Sequence, residues 1–353
     1  MQSLFQKVAH HYTNKLPFTV YCKPNSDNII GVFQHDDMLH SISDFTESGF
    51  AFVSFNGEEQ YFIPAESSDV YVEKIISDAF YVSKDTAITT NDVAKKAFEL
   101  LVKKGLEAIE KGTFHKVVLS RKEIVEISNL NIESLLNGLQ FNYPNAFNYC
   151  FFHPKIGMWF GATPEQFLQT EDVKIKTVAL AGTQLFSQSI QWKSKEKQEQ
   201  EFVTDFIVSN LEEFCAAITI SEPYTTKAGT IAHLKTDITA ELHSKNDLGK
   251  LIDKLHPTPA VCGFPAGSAK QFILQNEEYK RTFYTGFLGE LNIDFTTFKR
   301  DNSDLFVNLR CMNIEKNTAA IYVGCGITKD SIPEMEYIET VNKSMTIRKV
   351  INL

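Results

Sequence analysis

The chain has 353 residues, 43% of them hydrophobic and 22% charged, which supports a sizeable globular core. Its net charge of −9 weighs against nucleic-acid binding and against a polybasic membrane contact. No apolar run is long enough to span a bilayer, the start carries no signal-peptide core, and Cys22, Cys150, Cys215, Cys262, Cys311 and Cys325 are scattered without a CxxC. Together these features predict a cytoplasmic protein with free thiols.

Residues 1–65 alternate short apolar runs with Asn, Asp and Gly turn signals, a β-type pattern. Residues 66–90 are less regular. Asn91 is placed to cap a helix reaching about residue 111, with Val93, Ala97, Leu100, Leu101 and Ile109 on its apolar face. Strand-like runs follow at 115–120 and 123–127, then a helix at 132–140 and strands at 147–153 and 157–160. Thr163 and Pro164 read as the cap and first position of a helix, which puts Glu165 in its first turn. A strand at 173–181 ends in Gly182-Thr183, and a long helix covers about 190–215. Further strands fit 230–234, 284–291, 305–311 and 319–323. The last strand leads through a glycine turn, 324–326, into a helix from near Pro333. Strands outnumber helices and recur at hairpin spacing, so the expected class is α+β with mainly antiparallel sheets.

The chemistry concentrates on the two long helices. Glu336, Glu339 and Lys343 recur at steps of three and four, and the same step reaches Ile347 and Val350. Stepping back from Phe202 and Val203 on the earlier helix lands on Glu199 and Glu196. Two inward carboxylate pairs repel unless a cation sits between them, and oxygen-only ligands suit Mg²⁺. Solvated helix faces are the competing reading, since charged residues mostly sit exposed. Lys116 opens an apolar strand, where a lysine can act as a base or reach solvent from an edge. Arg310 interrupts the strand LFVNLRCMNI and is placed to bind an anion. The turn at Gly324 and Gly326 offers backbone N–H groups to an anion. His115, His233 and His256 read by default as structural or as supports behind other site residues. These residues describe a metal-assisted enzyme acting on a small carboxylate-bearing anion.

In order and spacing, HKVVLSR, FGATPEQFL, VALAGT, KEKQEQEFV, HLKTDI, LHPTPAVCGFP, YTGFLGEL, VNLRCMNI and GCGITKDSIPEMEYIETVNK resemble the chorismate-utilising enzymes. That family holds isochorismate synthases, salicylate synthases, anthranilate synthase large components and aminodeoxychorismate synthases. The resemblance covers nearly everything from about residue 90 and is weak before it. It implies one domain over residues 1–353, with two large, mostly antiparallel sheets packed between helices, and Mg²⁺-dependent chemistry on chorismate. It implies Glu199 and Glu339 as direct Mg²⁺ ligands, with Glu196 and Glu336 behind them. It implies Tyr284, Arg310, Lys343 and the backbone of Gly324 and Gly326 as holders of the substrate carboxylates, with Gly182, Thr183 and Ala260 also at the substrate.

Three positions select the reaction within that resemblance. Lysine at 116, where anthranilate synthase has glutamine, favours adding water over ammonia, so no glutaminase subunit is expected. Ala181, where aminodeoxychorismate synthases have a lysine, argues against a covalent intermediate. Ala260, where salicylate synthases have threonine, favours stopping at isochorismate, for menaquinone or siderophore biosynthesis. Lys116, neutral when it acts, is the expected general base for water attacking ring carbon 2. Protonated Glu165 is the expected general acid for the hydroxyl leaving carbon 4. A salicylate synthase or a non-catalytic chorismate binder are the alternatives.

Overall fold

Two antiparallel sheets face each other, and each draws strands from both ends of the chain. The computed structural model describes residues 3–75, 91–127, 130–185, 190–228 and 231–351. From one edge, the first sheet runs Gly263–Phe264, Lys116–Glu126, Thr318–Ile327, Cys311–Glu315, Gly157–Thr163, Phe147–His153, Phe18–Cys22, Asn28–Gln34 and Ser68–Lys74. The second runs Cys215–Ile220, Ile231–Leu242, Lys174–Leu185, Gln166–Glu171, Asn302–Val307, Phe287–Leu291, Gly49–Val53, Gln60–Pro64 and His40–Ser41. Tyr224–Ala228 also pairs with Ile231–Leu242. The N-terminal strands, which carry no chemical motif, thus extend both sheets.

The space between the sheets is aromatic. Phe52 stacks on Phe151 and on Phe283, each at a centroid distance of 4.3 Å. A buried ring of this kind contributes on the order of 2 kcal/mol by area alone. Helices Leu4–Thr13 and Ile132–Asn142 and the end of Pro333–Ile351 cover the outer face of the first sheet through Leu4, Leu136 and Ile347. Helices Ser194–Leu211 and Leu248–Leu255 cover the second through Val203, Ile207 and Leu251. Among the described residues no helix is long and apolar enough to cross a membrane. All six cysteines are buried and unpaired.

Four local expectations are corrected. Residues 4–13 form a helix, with Ser3 and Gln6 closing a reciprocal capping box, where a β-type pattern was expected. Asn91 does cap helix Asp92–Glu110, accepting from the Val93 and Ala94 amides, and Leu101 and Ile109 of the expected face pack against the core, but its buried centre is Phe98, Val102 and Gly105. Val93 and Leu100 are 79% and 57% exposed. The helix carries two apolar stripes, and the one containing Gly105 wins because it lets the backbone approach Leu119 and Val117. No helix starts at Thr163. Its hydroxyl donates to the Val307 carbonyl at 2.6 Å instead of capping a helical turn, and the chain crosses there from the first sheet to the second. Last, residues 305–311 are not one strand: Asn302–Val307 ends, and Cys311–Glu315 begins in the other sheet.

Candidate active site

The floor of the site is the pairing of Lys116–Glu126 with Thr318–Ile327, in which Val118 faces Gly326 and Ser120 faces Gly324. Lys116 is not at an edge, because Phe264 pairs with it on the other side. Its neighbour Val117 points into the core, which turns the lysine toward the opposite face. The expected glycine turn is instead strand. Past Tyr322 that strand loses Cys311–Glu315 as its second neighbour, so its free edge opens onto the site. Both glycines are needed for space. A β-carbon on Gly326 would lie 3.0 Å from Cε of Lys116, and one on Gly324 would lie 2.9 Å from the Tyr284 hydroxyl.

Helix Pro333–Ile351 lies beside this edge. Lys343 Nζ donates to the Gly324 carbonyl at 2.9 Å and pairs with Glu339 at 2.7 Å. The buried stripe of the helix is Tyr337, Thr340, Val341, Ser344, Ile347 and Val350. Glu336, Glu339 and Lys343 therefore flank the core stripe, half-buried, and do not sit in its middle. Burial pushes the Glu336 carboxyl up; the Glu339 charge adds to this, and a hydrogen bond from Ser331 opposes it.

Arg310 stands in the link between the two sheets, at φ +48°, and not inside a strand. Its carbonyl accepts from the Ala162 amide at 3.1 Å, which fixes the link against Gly157–Thr163. Burial pushes its guanidinium down, while Tyr284, Glu339 and Glu165 pull it back up. Glu165 sits at the other crossing between the sheets. Its backbone is held by Thr163 Oγ1 at 3.4 Å and by the Val307 amide at 3.0 Å. Burial raises its carboxyl to about 7 against the pull of Lys116, Lys343 and Arg310. A carboxyl at that value carries a proton on about half of molecules at neutral pH. Three basic side chains thus act against the desolvation that keeps this carboxyl partly neutral.

In the second sheet Lys174–Leu185 pairs antiparallel with Ile231–Leu242. The register slips between Ala181 and Thr183, leaving Gly182 as a bulge at φ +69°. The Gly182 carbonyl is 3.0 Å from Nδ1 of His233. Burial lowers the His233 imidazole, as do Lys343 and Arg310. His233 thus stands beside the site under the influence of Lys343 and Arg310, within the supporting role that its sequence position allowed. A β-carbon on Gly182 would lie 3.0 Å from Cβ of Glu196. The Thr183 side chain lies outside the described residues. Glu196 Oε1 accepts weakly from Gln184, and its Oε2 is buried without a hydrogen-bond partner. Glu199 and Lys116 line one cavity of about 320 Å³, walled by Phe202, Phe264 and Pro259, with Ala260 next in the chain. A larger cavity of about 480 Å³, beside Glu290 and Asp304, holds none of the candidate residues.

Among the described residues no three His, Cys, Asp or Glu side chains gather closely enough to make a metal site alone. The two Glu pairs stand on separate helices. The donor set still fits a hard cation that keeps water or substrate oxygens as ligands: the unpartnered, buried Glu196 oxygen requires a positive or hydrogen-bonding neighbour.

The chain belongs to the family described as chorismate binding enzyme, whose model matches residues 67–352. It is 28% identical over 276 residues to the salicylate biosynthesis isochorismate synthase of Pseudomonas aeruginosa, covering 73% of this chain and 55% of that protein. It is 28% identical over 298 residues to the chloroplastic isochorismate synthase of Catharanthus roseus, covering 80% and 50%. The chain thus matches about half the length of these curated relatives. The menaquinone-specific isochorismate synthase MenF of Escherichia coli has the same fold, with a TM-score of 0.78 at 20% identity, covering 95% of this chain and 88% of that one.

Proposed function

We propose that the protein is an isochorismate synthase, converting chorismate reversibly to isochorismate. The observation that carries this reading is Glu165, a carboxyl that burial raises to about 7 within the electrostatic reach of Lys116, Lys343 and Arg310. One proton acceptor and one proton donor in one site are what exchange of a ring hydroxyl between two carbons requires. Lys116 takes a proton from the water that attacks carbon 2. Glu165 gives a proton to the hydroxyl leaving carbon 4, which departs as water while the ring double bonds shift. One water enters and one leaves, and a proton passing from Lys116 back to Glu165 resets the enzyme.

Arg310, Lys343, Tyr284 and the free strand edge at Gly324 and Gly326 bind the two substrate carboxylates. Gly182, Thr183 and Ala260 close around the ring. Glu199 and Glu339 would hold Mg²⁺, with Glu196 and Glu336 behind them. That ion would offset carboxylate charge and orient the substrate. Relatives carrying the isochorismate synthase name support the activity, and such a product serves menaquinone or siderophore biosynthesis. The buried, unpaired thiols suit a cytoplasmic setting.

Incubation with chorismate and Mg²⁺, followed by chromatography, tests the proposal. Isochorismate as the sole product supports it. Salicylate with pyruvate would make the protein a salicylate synthase, and unchanged chorismate would leave it a binding protein.

A further inference from the structure

Behind the floor lies a buried ion pair that the proposed chemistry does not use. Glu277 closes helix Ala266–Asn276, and Arg281 follows four residues later. Their side chains are 1% and 2% exposed. They meet on two prongs, Nη2 to Oε1 at 2.6 Å and Nε to Oε2 at 2.8 Å. A buried pair often stabilises a fold no better than apolar residues of similar volume. The informative part is therefore what else the two groups hold.

The remaining side-chain hydrogen bonds go to three segments, each of which carries a site residue. Arg281 donates to the Val118 carbonyl at 2.7 Å, in the Lys116 strand. It donates to the Val261 carbonyl at 3.1 Å, next to Ala260, and to Thr285 Oγ1 at 3.2 Å, next to Tyr284. Glu277 Oε1 accepts from the amide and the hydroxyl of Ser120, both at 2.8 Å. Val118 and Ser120 are the register partners of Gly326 and Gly324. The planar guanidinium can serve these acceptors at fixed angles, which an ammonium cannot.

We propose that Glu277 and Arg281 are positioning residues, a single buried fork that sets the relative placement of Lys116, Ala260 and Tyr284. The proposal rests on the chorismate reading above for its effect on turnover. Neither residue touches the substrate. Breaking a pair that served stability alone would lower the melting temperature and leave kcat of the folded enzyme unchanged.

The test compares the full chain with Arg281→Lys and, separately, Ser120→Ala. It reads kcat and KM for chorismate with Mg²⁺, thermal melting, and amide hydrogen exchange over residues 116–120, 258–262 and 283–286. For Arg281→Lys, kcat should fall on the order of tenfold or more while KM moves less than about threefold. Exchange should rise in all three segments and stay unchanged in helix Ser194–Leu211. A folded Arg281→Lys with kcat within about twofold of wild type, or with unaltered exchange in the three segments, overturns the proposal. If that variant does not fold, Ser120→Ala decides, because it keeps the pair and removes one hydroxyl. Lower kcat with faster exchange at 116–120 supports the fork, and wild-type values overturn it. If wild type leaves chorismate unchanged, the functional reading alone fails, and the exchange comparison still decides the fork.

Discussion

Lys116 lies across Gly326: a β-carbon at 326 would meet Cε of the lysine at 3.0 Å and its Nζ at 3.7 Å. The glycine is there to let the ammonium stem pass over the strand. Gly326→Ala should therefore displace the proposed base without unfolding the pairing. We expect kcat to fall on the order of 10- to 100-fold with little change in melting temperature. Lys116→Ala should lose about 10²–10⁴-fold in kcat, and a variant retaining wild-type turnover would remove Lys116 from the mechanism.

Glu165 sets the alkaline limb. Its carboxyl stands raised at about 7, and it must be protonated to act as the acid. Turnover should fall as pH rises through about 7, and Glu165→Gln should be nearly inactive at every pH. Stability gives an independent check. A carboxyl raised on folding binds more protons in the native state between its ordinary value and about 7. Wild type therefore loses stability as pH rises across that window. Glu165→Gln should melt on the order of a few °C above wild type at pH 9 and gain nothing at pH 4. Equal melting temperatures at pH 9 would show that the carboxyl is not buried as described.

Glu339 shares its charge with Lys343 at 2.7 Å and is a proposed Mg²⁺ ligand. Thermal shift titrated with Mg²⁺ alone isolates the metal from the reaction. Glu339→Gln should need at least about tenfold more Mg²⁺ for the same stabilisation. An unchanged titration would remove it from the ligand set.

Gly182 combines φ +69° with Glu196 Cβ lying 3.0 Å from where its own β-carbon would be. Gly182→Ala should cost about 1–2 kcal/mol from the backbone alone, seen in urea unfolding. It should also weaken Mg²⁺ binding by pushing Glu196 aside. A neutral substitution would mean the bulge relaxes freely.

Much of this was legible before any coordinates. Strand alternation and hairpin spacing carried the α+β class, and the motifs carried the family. Three of the misses share one cause: a local signal was outvoted by a distant partner, whereas the capping box at Ser3 and Gln6 was a local signal passed over. Thr163-Pro164 is a sound helix start, yet the Thr163 hydroxyl finds the Val307 carbonyl across the sheets. Residues 305–311 are apolar enough for a strand, yet the chain turns at Arg310 to change sheets. Val93 and Leu100 make a valid stripe, yet the close approach at Gly105 selects the other face. The four-residue spacing of Glu277 and Arg281 was in the sequence, but their bonds to Val118, Ser120 and Val261 join segments far apart in the chain.

The pairing that forms the floor joins Lys116–Glu126 to Thr318–Ile327 along ten residue pairs. During synthesis the lysine strand waits for a partner that the ribosome makes only near residue 327. Until then one long edge of that strand is open, beside a sheet rich in apolar residues. Such an edge invites pairing with another nascent chain. Demand for chaperones should therefore last until residue 327 has been made, and a chain halted before residue 318 should aggregate although most of the described strands are already made.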